Sequence, residues 1–287
     1  MTSTDQSFDH LDIINAVLGL AYNFESYPNH LFKAGYKVSR IEPIIGIPNW
    51  INPDILFMSE NMGLFAECKG GTFQIGSNLS RYDSITVRHL IEKGIDIPSE
   101  NLELDVGIFG RDNLTHLKER LSEEGIDYPQ VILDGRIQQI HGRAFSDPLL
   151  NDLFSEPREI SSKAPLILKF TDDSPIEKIA PFVFSELMSR SITRKHDFKV
   201  RELTEEVMGD IWDNLDKDLQ KTLVNKIQSF LRRCKGKQLK NYLRNNAEVW
   251  TVSISDHWNS RKKFSADCNL FIRELSQKEL FDFKEFR

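Results

Sequence analysis

Apolar residues recur along this chain at two spacings, and the switches between them lay out the expected elements. Phe8, Leu11, Ile14, Val17, Leu18 and Ala21 follow the three-and-four rhythm of an amphipathic helix. A helix is therefore predicted up to about Phe24, capped by Ser7 or Asp9 and broken before Pro28. Residues 36–47 are rich in β-branched and aromatic side chains and read as a strand with a bend at Pro43. Residues 54–58 and 64–69 are two short apolar runs around turn residues 59–63. The helical rhythm returns over 77–93, with Leu79, Tyr82, Ile85, Leu90 and Ile91 on the buried side. Residues 102–109 read as a buried strand, and 111–125 as a helix carrying Leu114, Leu117 and Leu121. Two more strands, 128–133 and 136–140, flank an Asp134-Gly135 turn. Hairpin neighbours are antiparallel and helix-linked strands tend to be parallel. The pattern predicts an α/β domain over residues 1–145, with a mixed central sheet flanked by helices.

The pattern lapses over 146–163, where Pro148, Pro157 and Ser161-Ser162 mark a predicted linker. Residues 164–287 read as a mainly helical C-terminal domain. It opens with a strand at 164–170 and a helix at 175–189. An acidic helix follows at 204–215, with Thr204 as its cap. Residues 217–234 are the strongest amphipathic stretch, striped by Leu219, Leu223, Ile227, Phe230 and Leu231. A short helix at 238–243, a strand at 249–254 and a docking tail helix from Glu274 complete the list. Three helices and a strand give this part a winged-helix-like outline, without a helix-turn-helix signature.

Charge changes the picture in one place. The 287 residues carry a net charge of −6, which excludes a protein that coats nucleic acid with bulk positive charge. Yet from Leu219 to Asn245 there are eight basic residues and no acidic one. Lys226, Arg232, Arg233, Lys235, Lys237 and Lys240 are the candidates there for nucleic-acid contact; Asn241 and Tyr242 add polar and stacking groups. The alternative is a basic helix that balances the acidic 202–218 segment. The three cysteines, 68, 234 and 268, have neither disulfide-framework nor zinc spacing. The apolar run 13–21 is too short to span a bilayer. A cytoplasmic chain without a membrane segment is expected.

The chemistry concentrates in INPDILFMSENMGLFAECKGG, residues 51–71. Alternation along the second strand sends Phe65, Glu67 and Lys69 to one face, and Leu64, Ala66 and Cys68 to the other. A carboxylate and an ammonium one pleat apart in so apolar a strand are costly unless paired or used. Register decides what Asp54 adds. With Met58 opposite Leu64, Asp54 faces Cys68 and its carboxylate lies on the wrong side. A slip of one residue places it opposite Glu67 or Lys69. The slipped register, or a bulge with the same effect, is expected. Two hard carboxylates and a lysine then converge, which suits a magnesium ion and phosphodiester hydrolysis.

Pro53-Asp54, followed by Glu67-Cys68-Lys69, resembles the signature of the PD-(D/E)xK nuclease superfamily, and the predicted element order matches its restriction-endonuclease-like core. The resemblance implies that Asp54 and Glu67 hold Mg2+ (or Mn2+), with the Cys68 carbonyl as a further ligand, and that Lys69 assists the water. It makes Glu25, near the end of the first helix, a candidate to complete the metal site. Gln74 or Asn78 is the candidate for a polar residue reaching in from the following helix. The expected function is a metal-dependent nuclease acting on DNA, as in restriction, phage defence, mobile-element or repair systems. RNA fits the residues equally, and a homodimer or a place in a larger complex is expected. The rival expectation is a non-catalytic nucleic-acid-binding or scaffolding subunit. The complete Asp54, Glu67 and Lys69 set argues against it.

Overall fold

The computed structural model describes residues 10–46, 50–70, 79–111, 121–160 and 162–282. The chain divides into two compact units, one of residues 1–168 with 214–216, the other of 169–213 with 217–287. The first is built on a seven-stranded sheet: β1 (Lys37–Ile41), β2 (Ile55–Met58), β3 (Met62–Lys69), β4 (Glu103–Gly110), β5 (Gln130–Leu133), β6 (Arg136–His141) and β7 (Arg158–Glu159), in that spatial order. β1, β2 and β3 run antiparallel, β4 and β5 join parallel, and β6 and β7 return antiparallel. The expected α/β architecture with a mixed sheet is present.

Both faces of the central strands are buried, as their near-continuous apolar runs require. Helix α1 (His10–Gly19) lies against β3 and β4. Its residues 11 and 13–19 are all buried, so it is a core helix rather than a surface one. It stops at Gly19, short of the expected Phe24; only glycine fits there, since a Cβ would meet the Tyr27 ring at 2.8 Å and Pro165 at 2.9 Å. The sheet also carries a cluster of Leu56, Met58, Phe65, Tyr82, Val106 and Ile108, among others. Phe65 and Tyr82 are packed here beside the site residue Glu67 of the same strand.

Several expectations need correction. The predicted strand at 36–47 ends at Ile41, because Glu42 takes a left-handed φ of 51° before Pro43 and donates its N–H to the Asp54 carbonyl. The single helix expected over 77–93 is a 3-10 turn, Leu79–Ser84, and a short helix α3 (Val87–Glu92) capped at Thr86; Ile91 is exposed. The short helical turn that residues 29–34 allow is present as a four-residue helix, α2 (His30–Lys33), ahead of β1. The segment 146–163 is not a linker. It holds helix α4 (Pro148–Ser155), capped by Asp147, and the seventh strand β7, and the boundary falls after Leu168. Residues 164–170 form no strand. The Asn15 side chain serves instead of a neighbouring strand: its Oδ1 accepts from Ile167 N and Leu168 N, and its Nδ2 donates to Leu168 O. Residues 47–49, 71–78 and 112–120 lie outside the described residues, and with them Gln74, Asn78, Leu114 and Leu117.

The second unit is mainly helical: α5 (Ile176–Ile192), α6 (Val200–Met208), a 3-10 turn (Gly209–Asn214), α7 (Lys217–Lys235) and α8 (Trp258–Asp282). Phe184, Phe230, Phe264 and Phe271 interlock at its centre. A small sheet of β8 (Asp197–Lys199), β10 (Val249–Val252) and β9 (Leu243–Asn246), in that order, was expected only as one strand; β9 replaces the end of the predicted 238–243 helix. Thr204 is not a cap. It is buried inside α6 and donates to Val200 O. No helix of the described residues is long and apolar enough to cross a membrane.

Candidate active site

The β2–β3 register decides the site. Met58 pairs with Gly63, Phe57 with Leu64, Leu56 with Phe65 and Ile55 with Ala66. One further step carries Asp54, immediately before β2, opposite Glu67. This is the slipped register, and it brings the carboxylates of Asp54 and Glu67 close enough for the first to act on the second. Pro53 precedes Asp54 and favours the extended entry.

Each carboxylate oxygen has a protein partner. Asp54 Oδ2 accepts from Cys68 N at 2.5 Å, and Oδ1 lies 3.1 Å from His10 Nε2. Glu67 Oε2 accepts from Lys69 Nζ at 2.5 Å, and Oε1 accepts from the Tyr82 hydroxyl. Two acids are thus matched by a lysine and a histidine, and Glu67 is only 8% exposed.

The protonation pattern follows from that crowding. Burial, and then the Asp54 charge, push the Glu67 carboxyl above the usual carboxylate range. An ion pair with Lys69 alone would lower it; here desolvation and the second anion prevail over Lys69 and Tyr82. For Lys69, burial works against the charge, but Glu67 and Asp54 outweigh it and hold the ammonium above its ordinary value. Lys69 is therefore a cation and a hydrogen-bond donor at neutral pH, not a base. His10 is raised to about 8, first by its hydrogen bond to Asp54, with burial opposing and the Cys68 backbone adding a smaller contribution. The Cys68 thiol is buried and pushed well up, so only the backbone of that residue is chemically available.

Asp54, Glu67, Cys68 and Lys69 are brought together as the sequence predicted. Glu25 is not. It is exposed in the loop beyond the C-terminal end of α1. The helix residue at the site is His10, at the opposite end, roughly 15 Å away along a ten-residue helix. His10 and Tyr82 were missed. Nothing in the sequence marks His10 except its place just ahead of the apolar stripe. Tyr82 was read as an apolar helix position, whereas the 3-10 turn aims its hydroxyl at Glu67. Of the basic candidates, Lys226 donates to Asp172 O, and Lys237 lies 3.6 Å from Glu274.

A family model, that of the MJECL32 domain, matches residues 9–167, more than half of the chain. The chain belongs to the MJECL32 domain family. The matched span covers nearly all of the first unit, so the Asp54–Glu67–Lys69 cluster lies inside the MJECL32 domain and α7 lies outside it. No curated protein and no solved structure matches the chain.

Oxygen chemistry is what the cluster offers a cation. Among the described residues no three His, Cys, Asp or Glu side chains form a ligand group. Magnesium needs less, since it keeps several waters and takes one or two carboxylates. Two adjacent carboxylates, one with its proton affinity raised by burial and then by the other, fit such an ion.

Proposed function

We propose that the first unit is a metal-dependent nuclease site of the PD-(D/E)xK type, built on a restriction-endonuclease-like core and hydrolysing phosphodiester bonds in DNA. The observation that carries this reading is the β2–β3 register, which sets Asp54 opposite Glu67 with Lys69 one pleat beyond. The order of helix, three antiparallel strands, helix and parallel strand supports it.

Asp54, Glu67 and the Cys68 carbonyl would hold Mg2+ or Mn2+. Such an ion supplies Lewis-acid charge neutralisation and a more acidic water. The chain's own residues do the rest. Glu67, held by Lys69 and Tyr82, would share the ion with Asp54. Lys69 stays protonated, orients the attacking water and offers positive charge to a phosphate oxygen. Tyr82 fixes the Glu67 rotamer from behind. His10 stands at Asp54 as the cationic partner that the ion would displace.

A second reading takes the cluster as a closed polar network in a non-catalytic subunit, because all four carboxylate oxygens already have protein partners. One experiment decides. Plasmid DNA, single-stranded DNA and RNA are incubated with Mg2+, Mn2+ or EDTA, using wild type, Asp54→Ala and Lys69→Ala, with folding checked by circular dichroism. Metal-dependent cleavage lost in both variants is the expected result. Equal cleavage by wild type and folded Lys69→Ala overturns the mechanism. No cleavage, together with no Mg2+-induced rise in melting temperature, leaves the closed-network reading.

A further inference from the structure

The second unit carries an order of elements that the sequence only sketched. α5, β8, α6, α7, β9 and β10 follow one another, with β10 pairing both β8 and β9 antiparallel. α6 packs on α5 and on α7, and α7 packs on β9. Two consecutive helices, joined through the 3-10 turn Gly209–Asn214, are followed in the chain by a β-hairpin, which gives a helical pair bearing a ribbon.

The exposed ridge of α7 is the informative part. Leu219, Leu223, Ile227, Phe230, Leu231 and Cys234 are buried. The opposite side, beyond the exposed Asp218 of the first turn, presents Lys221, Asn225, Ser229 and Arg232 at three- and four-residue spacing, all exposed. Their side chains make no hydrogen bond or ion pair among the described residues. The ridge holds no apolar and no aromatic side chain, so it suits neither a protein groove nor stacking on single strands. Its groups are those that read base edges: Asn for adenine, Arg or Lys for guanine, Ser for either. A 19-residue helix is about 28 Å long and 10–12 Å across, which is the width of the B-form major groove. The A-form major groove is too narrow for it. Arg244 and Lys240 stand exposed on and before β9 for phosphate contact.

We propose that the second unit is a duplex-DNA reader, with the Lys221–Asn225–Ser229–Arg232 ridge of α7 in the major groove and the β9–β10 hairpin on the flanking backbone. This rests on the second unit alone and holds whether or not the first unit cleaves anything. It also reassigns the basic run: Lys226 and Lys237 are half-buried and engaged by Asp172 O and Glu274, while Lys221, absent from the sequence-based candidates, belongs to the ridge.

The test uses the full chain in EDTA, so that binding is read without cleavage. Fluorescence anisotropy is measured with a mixed-sequence DNA duplex of about 30 base pairs, the single strand and the matching RNA duplex. Duplex DNA should bind tightest. Arg232→Ala and Lys221→Ala should each weaken it about tenfold, within the span of one lost base or phosphate contact. Asn225→Ala should reduce the enrichment of a preferred sequence selected from a randomised duplex pool. Because these positions are exposed, melting temperatures should stay at the wild-type value. Tighter binding to single strands or RNA, binding to no nucleic acid, or wild-type affinity in the Lys221→Ala Arg232→Ala double variant each overturns the proposal.

Discussion

His30 sets an acid limit on the first unit, and with it the window in which any pH–rate profile of the site can be read. It opens α2 and is 2% exposed, with its ring stacked on Phe154 at 5.0 Å between centroids and 10° between planes. Burial, then the charges of Arg158 and Lys33, lower its pKa from 6.5 to about 4. The unfolded chain takes the proton near 6.5, while the folded one refuses it until about 4. The stability tied to the neutral ring is therefore complete above 6.5 and is lost as pH falls through that interval. At about 1.4 kcal/mol per pH unit of separation, the full loss is roughly 3 kcal/mol, and about 2 kcal/mol of it is gone by pH 5. The perturbation is His30→Phe, which keeps a flat ring against Phe154 and cannot titrate. Hydrogen-exchange protection of the β3 and β4 amides, corrected for intrinsic rates, reports the first unit by itself. Between pH 8 and pH 5 the wild type should lose about 2 kcal/mol more than the variant. Parallel curves would refute the reasoning and mean that the ring accepts its proton in place.

Two further substitutions probe one unit each. Tyr82→Phe removes the donor to Glu67 Oε1, a contact that helps the carboxylate stay ionised. The acidic limb of the cleavage profile should therefore move to higher pH and stability should fall by about 1–3 kcal/mol; an unmoved limb in a folded variant would detach Tyr82 from the chemistry. Ala247 turns the β9–β10 hairpin with a left-handed φ of 54°. Ala247→Gly should raise the stability of the second unit by roughly 0.5–1 kcal/mol, and a melting temperature that drops would show a side-chain contribution.

Much of the first unit was legible because its elements announce themselves locally. The helical stripe of α1, the alternation in β3 and the turn residues after Met58 and Leu133 are short-range signals, and they gave the strands near the site and the mixed sheet. Asp54, Glu67 and Lys69 were legible for the same reason, since polar residues in an apolar hairpin stand out. The sequence could frame the register as a choice of one residue; pairing of Met58 with Gly63 made it. Glu25 was misplaced because nearness to a helix says nothing of which end faces the site. His10 and Tyr82 reach it through packing, α1 against β3 and a 3-10 turn under Glu67, and packing leaves no periodic trace. Residues 164–170 carried a strand-like pattern, but the side chain of Asn15, more than 150 positions away, satisfied their backbone instead. In the second unit composition showed the basic run, yet only the folded structure separated Lys226 and Lys237, which meet Asp172 and Glu274, from the exposed cations of α7. Local propensity and periodicity are written along the chain; which face meets which, and which charge finds a partner, exist only once distant segments are packed together.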